Sequence, residues 1–207
     1  TMPIYLTQGG DFDSPSPTTT VAVGTATLRF EDCMRGTLQY AFDDGRSGTI
    51  PLARLLANLR CARDGDADID ATSSSFLLSG AWADPANSGQ GLLLEFNPAQ
   101  GVMFGAWYTF ARGIPGEDGQ HWYTLQATLP VDVASLGEFG IFESRGGRFD
   151  AAAETTTVRV GSARLAFESC NAATLDYAFD ASGVAGRLDL ARIGRAPPGC
   201  AIRDHGL

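Results

Sequence analysis

The side chains able to do chemistry are sparse in this chain of 207 residues. Its two histidines are His121, beside Trp122 where a strand-like run begins, and His205, close to the C-terminus where chains fray. Neither stands next to a serine or cysteine in a nucleophile elbow, and no GxSxG, HExxH, GxGxxG or P-loop occurs. Thr1 carries the hydroxyl and α-amine of an N-terminal nucleophile, but it falls at a strand entry, and a cut or chain end accounts for it. The residues therefore predict no catalytic group, no cofactor and no enzyme. Asp64, Asp66, Asp68 and Asp70 alternate as the first ligands of a calcium loop do. Ala71 stands where such a loop needs Gly, and the closing Glu is missing. Those four are a calcium candidate by spacing alone, and a solvated acidic linker over 62–75 is the simpler reading.

The cysteines are more informative. Cys33, Cys61, Cys170 and Cys200 form no CxxC pair, so zinc-ribbon and thioredoxin chemistry are excluded. Four cysteines allow three pairings. The near-equal spacings, at matching places in two copies of a repeat, favour Cys33–Cys61 and Cys170–Cys200. Each bridge would close a loop of nearly 30 residues and contribute roughly 2–4 kcal/mol. Disulfides persist in oxidising compartments, so secretion or display on the cell surface is expected. No leader segment is present and the first residue is Thr1, which a processed or truncated chain explains.

Aromatic residues crowd one stretch, which holds all three tryptophans. Trp82, Trp107, Tyr108, Trp122 and Tyr123 are the candidates for a ligand-stacking or interface surface, because aromatics fall on both faces of their strands. Asp84, Ser88, Gly89 and Gln90 form a turn by composition, or a binding loop.

These residues must be positioned by strands. Period-2 runs dominate, and no stretch of ten residues carries a helical stripe. Strands are expected near 2–9, 20–31, 36–43, 49–54, 76–82, 90–97, 102–110, 121–129, 137–145, 157–168, 173–180 and 186–193. Residues 9–43 align with 146–180 without a gap, and 21 of those positions are identical by direct count. The match resumes at Ile50–Arg54 against Leu188–Arg192 and ends at Cys61 and Cys200. Residues 79–130 have no earlier copy. The organisation is thus a half unit at 1–61, repeating 138–200, then the linker 62–75 and a complete unit at 76–203. The expected fold is all-β: an antiparallel meander barrel or sandwich of about eight strands plus a duplicated four-stranded half unit.

The segment Trp82-Ala83-Asp84-Pro85-Ala86-Asn87-Ser88-Gly89-Gln90-Gly91 resembles the W-x-N-P-x-x-S-G-x-G opening of a repeat unit in exported bacterial proteins. The resemblance continues through Met103–Phe110, Trp122, Gly146-Gly147-x-Phe149, Val160–Phe167 and Leu175-x-Tyr177. Asp84 stands where that unit has Asn. The resemblance implies a secreted β-rich module and assigns it no activity.

The net charge of −9, with every basic residue an arginine, excludes nucleic acid as the main partner. No apolar run approaches the ~20 residues of a membrane helix. A lone four-stranded half unit would leave Leu28, Phe30, Leu38, Tyr40 and Phe42 without a partner sheet. The expected role is therefore structural, adhesive or self-assembling and non-catalytic. The half unit would be completed by the other sheet, a second copy (as a homo-oligomer or fibre neighbour) or a cleaved upstream fragment. A barrel for a small ligand or glycan is the alternative, and an enzyme of unknown type the second alternative.

Overall fold

A computed structural model describes residues 1–12, 15–55, 75–114, 119–129, 135–149 and 151–202. Strands β1 (Met2–Gln8), β2 (Thr19–Phe30), β3 (Arg35–Phe42) and β4 (Ser47–Ala53) form an open antiparallel sheet in chain order. Strands β5 (Gly80–Ala83), β6 (Gly91–Asn97), β7 (Val102–Phe110), β8 (Gln120–Thr128), β9 (Ser135–Arg145), β10 (Thr156–Ser169), β11 (Ala172–Phe179) and β12 (Ala185–Arg192) close into an eight-stranded antiparallel barrel. The choice between barrel and sandwich is thereby settled as a barrel. One expected strand is displaced: Phe76–Leu78 is a 3₁₀ turn, and the strand begins only at Gly80. Leu77 and Leu78 are both buried, which a period-2 strand with one wet face cannot arrange. The Trp82 indole N–H then donates to the Leu78 carbonyl at 3.2 Å.

Alternation fills the barrel. Trp82, Leu92, Leu94, Phe96, Met103, Trp107 and Leu125 from β5–β8 meet Ile141, Ala163, Leu165, Phe167, Leu175, Tyr177, Leu188 and Leu190 from β9–β12, all buried in one cluster. Glycines leave room for these side chains; a Cβ on Gly105 would stand 2.9 Å from Leu94. The barrel closes where β12 meets β5 over two residue pairs, Ala191↔Ala83 and Arg192↔Trp82. Arg192 holds that short seam. Its guanidinium lies 4.4 Å over the Trp82 ring and donates to the carbonyls of Cys170, Ser79 and Leu77 at 2.6, 2.9 and 3.0 Å. Burial lowers its pKa, and those carbonyls and the indole face offset the lost hydration. The disulfide Cys170–Cys200, Cα atoms 6.1 Å apart, pins the C-terminal segment to the same end, where Cys200 and Ile202 pack on the core.

The open sheet and the β9–β12 half of the barrel have the same register. Gly24 pairs with Phe42 in one and Gly161 with Phe179 in the other. Ile4 faces Gly24 as Ile141 faces Gly161. Cross-strand hydroxyl pairs match too: Thr7 with Thr20 at 2.9 Å, Ser144 with Thr157 at 2.8 Å. Cys33 is disulfide-bonded. Its expected partner Cys61, the linker with Asp64, Asp66, Asp68 and Asp70, and His205 lie outside the described residues.

Candidate functional site: a reciprocal joint and an open sheet face

After β1 the chain turns at Gly9, φ +93°, and sends Phe12 into the mouth of the barrel. The Phe12 ring lies 5.5 Å from Trp107 and 5.6 Å from both Tyr177 and Phe179. Gln90 captures the backbone behind it. Its Nε2 donates to the carbonyls of Asp11 and Phe12 at 3.1 and 2.8 Å, while the Thr109 hydroxyl donates to its Oε1 at 2.7 Å. Gln90 is buried, so these bonds satisfy groups that have no access to water. The Gly113 N–H donates to Asp11 Oδ1 at 3.2 Å, Gln120 Nε2 to the Thr7 carbonyl at 2.6 Å, and the Thr18 hydroxyl to Ser88 Oγ at 2.8 Å. Gly10 rests on the Phe110 ring so closely that a Cβ there would stand 2.0 Å from it. Phe110 points outward from β7, yet this arm buries it.

The second copy of the arm does the converse. Gly146, φ +88°, turns the chain out of β9. Phe149 then packs on Tyr40 and Phe42 of the open sheet, with ring centroids 5.2 and 5.9 Å away. Tyr40 and Phe42 occupy the register positions of Tyr177 and Phe179. The two arms are therefore exchanged: each body receives the phenylalanine of the other. Phe12 is buried, whereas Phe149 stays 58% exposed, because only the barrel has a β5–β8 wall to close over its guest.

The face of the open sheet that matches the barrel lumen is covered at one end only. Tyr40 is buried beneath Phe149. At the far end Phe30 is 74%, Met2 46% and Leu52 36% exposed, whereas Phe167, Phe139 and Leu190, at the same register positions in the barrel, are buried. Arg54 repeats Arg192 down to its backbone bond: Arg54 N–H donates to the Met34 carbonyl at 2.8 Å and Arg192 N–H to that of Asn171 at 3.0 Å. Lacking a 3₁₀ turn to hold, Arg54 instead reaches Glu95 on the barrel wall at 2.9 Å.

The five candidate aromatics divide. Trp82 and Trp107 fill the lumen, and the Trp107 indole N–H has no hydrogen-bond partner there among the described residues. Tyr123 packs on Trp107 and Phe179, with its phenol pKa raised by burial and by Glu143. Tyr108 and Trp122 face each other across β7 and β8 on the outer wall, 47% and 50% exposed. The turn residues form a turn that packs on the Gly9–Phe12 arm of the same chain. Asp84 is buried, accepting from the Ala86 N–H at 2.9 Å and Asn87 Nδ2 at 2.6 Å, which fixes the loop that presents Ser88 and Gln90 to the arm. Phe12, Gly10 and Phe149 were missed as site residues; the repeated GGxF that contains them was the available signal.

His121 Nε2 lies 3.3 Å from Glu143, off the axis of an N–H hydrogen bond, and Arg145 holds the other carboxylate oxygen at 2.6 Å. The His121 ring packs on Tyr123, centroids 4.6 Å apart, and Thr109 lies opposite it across β7 and β8, its hydroxyl committed to Gln90. Two depressions, of about 320 and 240 Å³, lie elsewhere, one by Asp84, Glu168 and Asp189 and the other by Glu138, Arg164 and Asp176. Neither is lined by Trp107, Leu125 or Ile141 of the lumen. Among the described residues no cluster of three metal-ligating side chains occurs, and no helix is long and apolar enough to cross a membrane. Comparison of the chain with protein-family models, with curated proteins and with solved structures gave no match.

Proposed function

We propose that this is a non-catalytic structural module, secreted or displayed at the cell surface, that works by assembly through its open four-stranded sheet. The observation that supports this is the exposure of Phe30, Met2 and Leu52 on a face whose counterparts in the barrel are buried. Burying each such side chain is worth about 1.5–3 kcal/mol, a standing drive toward any sheet that fits. The disulfide Cys170–Cys200 suits an oxidising compartment. A ligand-holding lumen is disfavoured, because Trp82, Trp107 and Leu125 occupy that space. Light scattering over a concentration series tests the reading. The expected result is a mass that rises with concentration and falls back when Phe30 and Leu52 are both replaced by serine. A native chain that stays monomeric at millimolar concentration would overturn it.

A second reading rests on the Tyr108–Trp122 pair, two adjacent exposed rings of the kind that stack on sugars. Quenching of tryptophan fluorescence by an oligosaccharide, lost in Trp122→Ala, would support it. Identical titrations for the two proteins would dismiss it.

A further inference from the structure

We infer that the face of the β1–β4 sheet is the receptor for a four-stranded sheet built like β5–β8, and that Phe149 is the stopper of the second barrel so formed. This deepens the assembly reading and rests on it.

Three residues of the chain are already shaped for that guest. Gly147 is the first. Its counterpart Gly10 must be glycine, because Phe110 of the β5–β8 wall fills the space a Cβ would need. At Gly147 the same Cβ would meet only Thr155 Cγ2, at an ordinary 3.7 Å. Its φ does not lie in the left-handed region either, so nothing described in this chain requires glycine there. A phenylalanine at the Phe110 position of an incoming sheet would. Phe149 is the second: it already sits on Tyr40 and Phe42 as Phe12 sits on Tyr177 and Phe179, lacking only the Trp107 and Gln90 that a β5–β8 wall provides. Arg54 is the third. It occupies the position from which Arg192 clamps the 3₁₀ turn through two carbonyls, those of Leu77 and Ser79, and a salt bridge to Glu95 with both side chains about one-third exposed is a contact it can give up.

The strand edges limit which guest can pair. In the barrel, β9 meets β8 over three residue pairs and β12 meets β5 over two. The free edges of β1 and β4 each contain a proline, Pro3 and Pro51, which withholds a donor and disfavours indiscriminate strand addition. Pro51 lies outside the stretch matching the β12–β5 seam, whereas Pro3 takes the place of Gly140, opposite Gln126 in the β8–β9 seam, so a guest strand pairs along β1 without that N–H.

Copies of the chain can associate through this face, but a second copy fills it less well than the guest. Each chain has one β5–β8 sheet, already committed to its own barrel. Two copies could therefore offer each other only β1–β4 faces. Such a lumen would have nothing to replace Trp82, Trp107 and Phe96, the three largest fully buried side chains of the barrel.

The test adds a second copy of residues 76–137 immediately before Thr1 of the intact chain, the position they hold relative to Glu138. In the extended protein the amides of Ile4, Leu28 and Leu38 should become at least tenfold slower to exchange, and concentration-dependent scattering should disappear. Gly147→Ala should leave the urea midpoint of the 207-residue chain unchanged yet lower that of the extended protein, whereas Gly10→Ala should lower both. An added segment that stays unprotected or aggregates overturns the inference, as does a Gly147→Ala that is silent in both proteins. If the 207-residue chain forms a two-fold dimer cross-linked through Phe30→Cys, the occupant assigned here is wrong while the assembly reading survives. If that chain is strictly monomeric and the added segment is unprotected, both fall.

Discussion

Gln90 joins the two bodies of the molecule with one side chain, bonding the Asp11 and Phe12 carbonyls on one side and Thr109 on the other. Gln90→Ala leaves the buried Phe12 carbonyl without its donor and frees the part-buried Asp11 carbonyl, so urea unfolding should report a loss of about 1–3 kcal/mol. Gly10→Ala should cost about 1–3 kcal/mol in the same measurement, because the Phe110 ring must move. An exposed charge gives a smaller effect. Arg187 bonds the Asp176 carboxylate at 2.7 and 3.0 Å and holds its pKa below the usual 3.8. A depressed carboxylate stabilises the fold above its unfolded pKa and ceases to do so as pH falls through the folded value. Asp176→Asn should therefore lower stability at pH 7 by roughly 0.2–1 kcal/mol, less at high salt, and change nothing once the carboxyl is protonated in acid. Sequence pattern made Asp84–Gln90 legible as a turn. The partners of Gln90 lie 78 and 79 positions away, and no local pattern encodes such a contact.

Strands were the most legible elements, because alternation and Gly or Asn-Pro punctuation are local signals: β7 spans Val102–Phe110, as its pattern predicts. The 3₁₀ turn at Phe76–Leu78 was not, since its adjacent buried leucines are explained only by the barrel floor they seal. The β12–β5 seam depends on Arg192 in the same non-local way. Arg192→Lys keeps the charge but cannot fork to three carbonyls. It should accelerate amide exchange in Gly80–Ala83 well before global unfolding, and equal exchange in both proteins would show that backbone pairing alone closes the barrel. Reduction of Cys170–Cys200, which closes a separation of 30 residues, should lower stability by about 3–4 kcal/mol.

For the whole molecule, the duplication was visible in the sequence, and so was the prospect of an uncovered half unit. The cover at one end was not. Phe42 and Tyr40 were expected to lack a partner, and Phe149 from the other body supplies one. The repeat disclosed two GGxF arms, but only the fold shows that they cross. Residual exposure is thus concentrated at Phe30, Met2 and Leu52. Phe30→Ser should reduce dye binding by the native chain while leaving the midpoint for unfolding of the barrel within experimental error.

The crossing of the arms also fixes what can be excised. A barrel cut free with only its own strands would keep a phenylalanine it cannot use and would be missing the cork for its own mouth, since that cork is encoded in the preceding half unit. The smallest portion that keeps the barrel stoppered must therefore carry the Gly9–Phe12 arm together with β5–β12, and a cut between them opens the mouth.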